Sequence, residues 1–366
     1  MKVVILHPPL YPMNHALFDL LGQYVELVVY CFGNHPKLHP NWLTSEYQKE
    51  AKNYKIVLLN NGISTFKSQF NFKAFMSLIK EKPDVVMSVA FWIPSLYSSL
   101  LSRVLDFKFI VVTDAILETD KGISSLKRKV RQVICKNTNV VISASDLTTK
   151  YIETINKDTK VMKSLQTIDL KNWKESLLNL EDKNTLRKAL NIPVDQTVIL
   201  SVGAFISLKN WESVFKHIKE LENYHYVLIG AGILEETYLA YIKNNKLEDR
   251  ISIVSRKEGL ELKKYFKSSD IFIFPSIKDT FGYVVPEALI SGLPVICSDK
   301  AGASSLLEDG INGYVVNSKN DFLQEIEAIK KNIGIMSLNS VKSIEKYTMQ
   351  NKAKEYYKIL QEVLND

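Results

Sequence analysis

Cysteine is nearly absent. The chain of 366 residues has three, Cys31, Cys135 and Cys297, an odd number with neither a CxxC pair nor metal-ligand spacing. That excludes a disulfide framework or a zinc module as the basis of the fold, and the three read as reduced, mostly buried thiols. No stretch reaches the roughly 18 consecutive apolar residues of a spanning helix. No Asp-x-Asp or HExxH closes a strand or helix, so no metal centre is expected. Met1 leads straight into Lys2-Val3-Val4-Ile5-Leu6, without the basic region, apolar stretch and small-residue cleavage site of a secretory signal. There is no fixed-period repeat and no low-complexity tract. The expectation is a folded, non-integral protein of the cytoplasm.

What is present is length and a moderate positive charge. The chain exceeds the usual size of one hydrophobic core, which favours two domains. The net charge of +7 suits phosphate-rich partners. Its densest part is Ser125-Leu126-Lys127-Arg128-Lys129-Val130-Arg131-Gln132-Val133-Ile134-Cys135-Lys136, where Leu126, Val130, Val133 and Ile134 recur at helical spacing opposite the charges. The first reading of this basic amphipathic helix is an apolar stripe packed on the core with a solvated Lys/Arg face. The second is peripheral contact with an anionic membrane, at its inner face. Nucleic acid is not an expected partner.

Periodicity supplies the fold class. Strands are predicted at Val3 to Leu6, Val25 to Tyr30, Tyr54 to Leu59, Val85 to Val89, Phe109 to Thr113 and Val140 to Ser143, with helices over Ala16 to Leu21, Phe70 to Ile79 and Ser95 to Leu105 between them. The second half repeats the scheme, with strands at Val198 to Val202, Tyr226 to Ile229, Ile251 to Val254, Ile271 to Phe274, Val295 to Cys297 and Gly313 to Val315. Strands alternating with helices imply α/β architecture, because parallel strands need long crossovers. Two Rossmann-like doubly wound domains facing a central cleft are expected, over 1–170 and 171–345. A linker falls at about Gln166 to Pro193, and a terminal helix at 346–366 packs on either domain. Ligands of such sheets bind beyond the carboxyl ends of the strands.

The most informative segment runs Phe274-Pro275-Ser276-Ile277-Lys278-Asp279-Thr280-Phe281-Gly282-Tyr283-Val284-Val285-Pro286-Glu287-Ala288-Leu289, and on through Gly292-Leu293-Pro294-Val295. It reads as a buried strand, a loop with a carboxylate and a glycine, a helix opening near Val284 to Pro286, and a further strand. Asp279 and Glu287 flank the helix start, where carboxylates hold sugar or ribose hydroxyls and exposed N–H groups hold phosphate. Gly282 lets a ligand approach the backbone.

This segment resembles the Glu-x7-Glu region of retaining glycosyltransferases of family 4, which have the two-domain B-type fold. Asp279 stands for the first Glu. The resemblance continues in Ser201-Val202-Gly203-Ala204-Phe205-Ile206-Ser207-Leu208-Lys209, similar to the family's donor-diphosphate loop. Lys209 matches there, and Ala204 occupies the place of a common Arg. It extends to Leu228-Ile229-Gly230-Ala231-Gly232 and to the strand before Arg256 and Lys257, two candidates for the missing charge. The resemblance implies donor contacts from Gly203, Ala204, Gly230, Gly232, Arg256, Lys257, Thr280, Phe281, Gly282, Tyr283 and Val284. It implies catalytic roles for Lys209, Asp279 and Glu287.

In the first half, His7-Pro8-Pro9-Leu10-Tyr11-Pro12-Met13-Asn14-His15 resembles the acceptor-side loop of proline-carrying members, although the Gly-Gly pair of many relatives is missing. Asp114 follows a strand where relatives often carry a histidine against the transferred sugar. His15 and Asp114 are catalytic candidates, with a capping or surface role open for each. The implied reaction is metal-independent transfer from a nucleotide-diphosphate sugar to a glycan or lipid-linked acceptor in surface polysaccharide assembly, with no cofactor beyond the donor. Catalysis would rest on positioning and on stabilising the leaving phosphate. A phosphorylase or nucleotide-sugar epimerase on the same plan, and a catalytically degenerate binding subunit, remain alternatives.

Overall fold

Residues 1–34, 42–59, 71–317 and 322–366 are described, from a computed structural model. They form two units, Met1–Leu165 with Met349–Asp366, and Gln166–Thr348. The chain thus crosses between units at 165/166 and again at 348/349.

The Val- and Ile-rich runs of the first unit form seven parallel strands: β1 (Lys2–His7), β2 (Glu26–Cys31), β3 (Lys55–Leu58), β4 (Val85–Val89), β5 (Lys108–Thr113), β6 (Val140–Ser143) and β7 (Val161–Lys163). Their order is β3-β2-β1-β4-β5-β6-β7, so the direction of winding reverses between β1 and β4. The short β7 carries too little apolar sequence to be predicted. The helix expected from Phe70 spans Phe72–Glu81, capped by the Asn71 side chain on the Ala74 N–H; Phe70 itself lies outside the described residues.

Both faces of this sheet are covered. Val3, Ile5, Val29 and Ile142 pack on one side, and Val4, Leu6, Val86 and Val141 on the other. Such near-continuous burial is why the strands read as apolar runs rather than alternations. The terminal helix Met349–Asn365 completes the first face. Met349, Ala353, Tyr356, Ile359, Leu360 and Val363 recur at three- and four-residue spacing and join Leu17, Phe18 and Leu21 of the helix Pro12–Leu21.

Beside that seam, buried Lys352 donates to the Leu165 carbonyl at 2.6 Å, and burial pulls its ammonium down to about 7, opposed by Glu355. Unfolded, the group titrates near 10.5. The unfolded chain therefore binds the extra proton between those values, and stability should rise with pH across that window. Lys352→Met is expected to flatten the rise, read as urea midpoints at pH 7 and pH 10.

The second unit has six parallel strands: β8 (Thr197–Val202), β9 (Tyr224–Gly230), β10 (Ile251–Ser255), β11 (Ile271–Phe274), β12 (Val295–Ser298) and β13 (Gly313–Val316), ordered β10-β9-β8-β11-β12-β13. Here the winding reverses between β8 and β11. The stretch expected as a linker is instead built into this unit. It carries the helices Leu170–Leu178 and Lys183–Ala189, the first of which polarity concealed in the sequence. Trp173 donates to Ser291 Oγ at 2.9 Å and meets Phe266 edge-on, while Arg187 donates to the Ser268 carbonyl and to Asp270. The charged residues that suggested a spacer are anchors.

All three cysteines are buried free thiols. Among the described residues, no helix is long and apolar enough to cross a membrane.

Candidate active site

The loops that leave β8 and β11 lie side by side, because those strands are paired at the point where the winding reverses, with Ile271 opposite Ile199 and Phe272 opposite Leu200. Loops diverging from such a point leave a crevice for ligands. After β8 the chain runs through Gly203 and Ala204 into one 3-10 turn, Ser207–Lys209. Asn210 then takes a left-handed conformation (φ 57°) that starts the helix Trp211–Glu220. After β11 comes the loop 275–283, and then the short helix Val284–Ile290.

The two loops are stitched together. The Ile277 N–H and the buried Ser276 hydroxyl both donate to the Leu208 carbonyl at 2.9 Å, and Asn210 donates to the Pro275 carbonyl. As a result Lys209 Nζ lies 2.5 Å from Asp279 Oδ2 and 4.7 Å from the centre of the Phe274 ring, each side chain about one-fifth exposed. The other Asp279 oxygen accepts the Phe281 N–H at 3.2 Å, and its backbone is held by Lys300 and Gly302. A lysine fixed this way beside the point where the winding reverses presents a positive charge at small reorganisation cost, the arrangement that stabilises charge developing on a phosphate.

Gly282 follows in the same loop with φ +98°, and a Cβ there would lie 2.6 Å from the Phe274 ring. The ring that carries Lys209 is thus also the reason for the glycine. Gly282→Ala should cost about 1 to 3 kcal/mol through strain, measurable as a lowered midpoint in urea. Phe281 is buried against Tyr283, which is 38% exposed; Thr280 and Val284 are half-buried. Gly203 and Gly230 meet one another, since a Cβ on Gly230 would fall 1.9 Å from the Gly203 carbonyl oxygen. Their smallness lets the loops after β8 and β9 touch backbone to backbone, while Gly232 is exposed beyond them. Ala204 is exposed, and its carbonyl accepts from Trp211 Nε1 at 3.1 Å.

Glu287 sits in the first turn of the helix Val284–Ile290, half-buried. Burial pushes its carboxyl up to about 8, only partly opposed by the charge of Lys263. Lys263 is itself buried, over the Trp173 ring at 5.0 Å and donating to Ser176 Oγ at 2.8 Å. The charged neighbour of Glu287 is therefore Lys263, whereas Asp279 partners Lys209. Arg256 and Lys257 follow the edge strand β10, separated from β8 by β9, and Arg256 pairs on the surface with Glu258 at 2.6 Å.

His15 and Asp114 belong to the first unit. His15 is stacked on Tyr47 and bonded to the Tyr54 hydroxyl at 2.8 Å, and burial lowers its pKa against the opposing pull of Asp19 and Glu50. Asp114 is half-buried just beyond the end of β5. Sequence reasoning quoted Phe274 and Ser276 only as part of the motif segment, without the contacts they make, and missed Trp211 and Lys263. Of the latter two, only the aromatic next to Lys209-Asn210 carried a local signal.

Residues 182–348 match the family model of glycosyl transferases group 1. Among curated proteins, an uncharacterized glycosyltransferase of Methanocaldococcus jannaschii is 28% identical over 199 residues, 51% of this chain and 51% of that protein. The alpha-monoglucosyldiacylglycerol synthase of Acholeplasma laidlawii is 26% identical over 197 residues, 52% of this chain and 48% of that protein. The match thus spans about half the length of these relatives. Among solved structures, HepE of Anabaena in complex with UDP superposes with a TM-score of 0.77 at 14% identity, over 99% of this chain and 100% of that one. By fold, the chain is a protein of the GT-B type with two Rossmann-like parallel-sheet units, and its second unit matches glycosyl transferases group 1.

Proposed function

We propose that this chain is a metal-independent glycosyltransferase that moves a hexose, with retention of anomeric configuration, from a nucleotide-diphosphate sugar to a glycan or lipid-linked acceptor in surface polysaccharide assembly. The observation that carries the reading is the Lys209–Asp279 pair over Phe274, held where β8 and β11 diverge. On this reading Lys209 neutralises the leaving diphosphate. Asp279 orients the lysine and accepts a donor-sugar hydroxyl, and Glu287 accepts ribose hydroxyls. Gly203, Gly232, Thr280 and Gly282 to Val284 line the donor, while His15 and Asp114 serve the acceptor and the transferred sugar.

The names of relatives are in keeping with this. One is a glucosyldiacylglycerol synthase, another is an amylovoran biosynthesis glycosyltransferase of Erwinia amylovora, and HepE was solved with UDP and with UDP-glucose. The test is a panel of sugar nucleotides in chelator, offered with lipid-linked acceptors, with the product linkage read by NMR. The reading expects an axial donor sugar to give an axial product. An inverted linkage would refute retention, and turnover only on addition of a divalent cation would refute metal independence.

A further inference from the structure

The first unit has an apolar pocket of about 390 Å³ at the carboxyl ends of β4 and β5, within the roughly 300 to 1,000 Å³ range of small-molecule sites. One wall is Phe91, Trp92, Ile93 and Leu96, and the opposite wall is Leu126 and Val130 of the basic helix Ser125–Asn137. The aromatic wall is fixed from behind. Trp92 Nε1 donates to Ser88 Oγ at 2.9 Å and its ring meets Phe32, while the Phe91 ring lies under the Arg131 guanidinium at 5.2 Å. Arg131 is in turn tied to Asp120 and to the Tyr151 hydroxyl, which holds the helix at its distance.

The stripe of that helix is packed from Val130 onward and not at its first turn. Ile134 and Cys135 are buried, yet Leu126 is 69% exposed at the pocket rim. Across thirteen residues the helix carries five cations and no carboxylate, and Lys127 stands in the pocket lining itself. The carboxylate in the lining is Asp114, on the strand side. Apolar walls with a cationic rim on one side are complementary to a hydrocarbon chain that ends in an anion.

We propose that this pocket takes the hydrocarbon chain of a single lipid phosphate, with the phosphate on the Lys127 side; it rests on the glycosyltransferase reading in so far as that lipid is the acceptor. The chain displaces water from Phe91, Trp92 and Val130. The headgroup contact is exposed, so it weakens as salt rises.

The probe is decyl phosphate below its micelle concentration, added to the full chain and read by calorimetry, with inorganic phosphate and ADP, GDP and UDP as separate titrations. Saturable one-to-one binding of decyl phosphate is expected. Inorganic phosphate should bind at least tenfold more weakly, and Leu126→Asp and Leu96→Trp should each weaken decyl phosphate about tenfold. Because Leu126 is exposed, its substitution leaves the fold intact, which unchanged melting verifies. Nucleotide titrations with both variants should match wild type. Binding of decyl phosphate unaffected by both substitutions, no binding at all, or association only with anionic vesicles would each overturn the pocket. Decyl phosphate binding as expected while none of ADP, GDP and UDP binds would instead break the donor reading and leave the pocket standing.

Discussion

Lys209→Ala is expected to lower sugar transfer by about 100- to 1,000-fold, in the range found when one preorganised donor to a developing oxyanion is removed. On the proposed reading the loss should fall mainly on kcat, because the charge on the leaving diphosphate would grow towards the transition state, and interactions stronger there than in the ground state set the rate. Asp279→Asn removes the anchor rather than the charge. It keeps one acceptor oxygen for the Phe281 N–H but loses the ion pair to Lys209. A smaller fall, with a rise in KM, is the expected result. Both side chains are only about one-fifth exposed, so each change should also cost about 1 to 3 kcal/mol of stability by leaving its partner unsatisfied, read as a lower urea midpoint. Steady-state kinetics beside an unfolding curve separates the two effects.

The second large effect concerns Glu287. Its carboxyl, raised to about 8 from an ordinary value near 4.5, is mostly protonated in the free protein at neutral pH. Only the ionised form accepts two hydroxyl hydrogen bonds without donating one. On the proposed reading, donor binding through ribose hydroxyls would therefore expel a proton below pH 8, at about 1.4 kcal/mol per pH unit. Affinity is expected to rise by up to tenfold per unit from about pH 6 to pH 8 and then level off. Glu287→Gln should abolish that slope and weaken binding at pH 8.

Stability runs the other way. The folded chain keeps a proton on Glu287 that the unfolded chain gives up, so the contribution of Glu287 to wild-type stability falls as pH rises from 4.5 towards 8. Glu287→Gln should remove that fall and stabilise the protein most at the alkaline end. A variant more stable at pH 8 yet poorer in nucleotide binding is the signature of a partly buried carboxylate kept for function. Equal pH slopes of nucleotide affinity in wild type and variant would mean that Glu287 does not touch the ligand.

The alternation of Val- and Ile-rich runs with helical periods was enough to read both parallel sheets and twelve of their strands, because strands buried on both faces carry an uninterrupted signal. It was not enough for β7, which is three residues long and half exposed, nor for the helix Leu170–Leu178, whose charged face hid its packing. Within the candidate site, the order of Lys209, Asp279, Gly282 and Glu287 was legible as a motif. The stitching at the Leu208 carbonyl and the Phe274 ring beneath Lys209 was not. Those contacts join residues some seventy positions apart through ordinary-looking Ser and Phe side chains, and only strand order brings them together. The same limit applies to Lys263, which a sequence shows as one more surface lysine and the structure places over the Trp173 ring and beside Glu287.

The central claim is that the loops leaving β8 and β11 form one nucleoside-diphosphate site without a metal. Isothermal titration of the full chain with UDP, GDP and ADP in chelating buffer tests it most directly. One of the three should bind with one-to-one stoichiometry, and Lys209→Ala should weaken that binding at least tenfold. Heats of dilution alone for all three nucleotides, or an affinity that Lys209→Ala leaves unchanged, would contradict it.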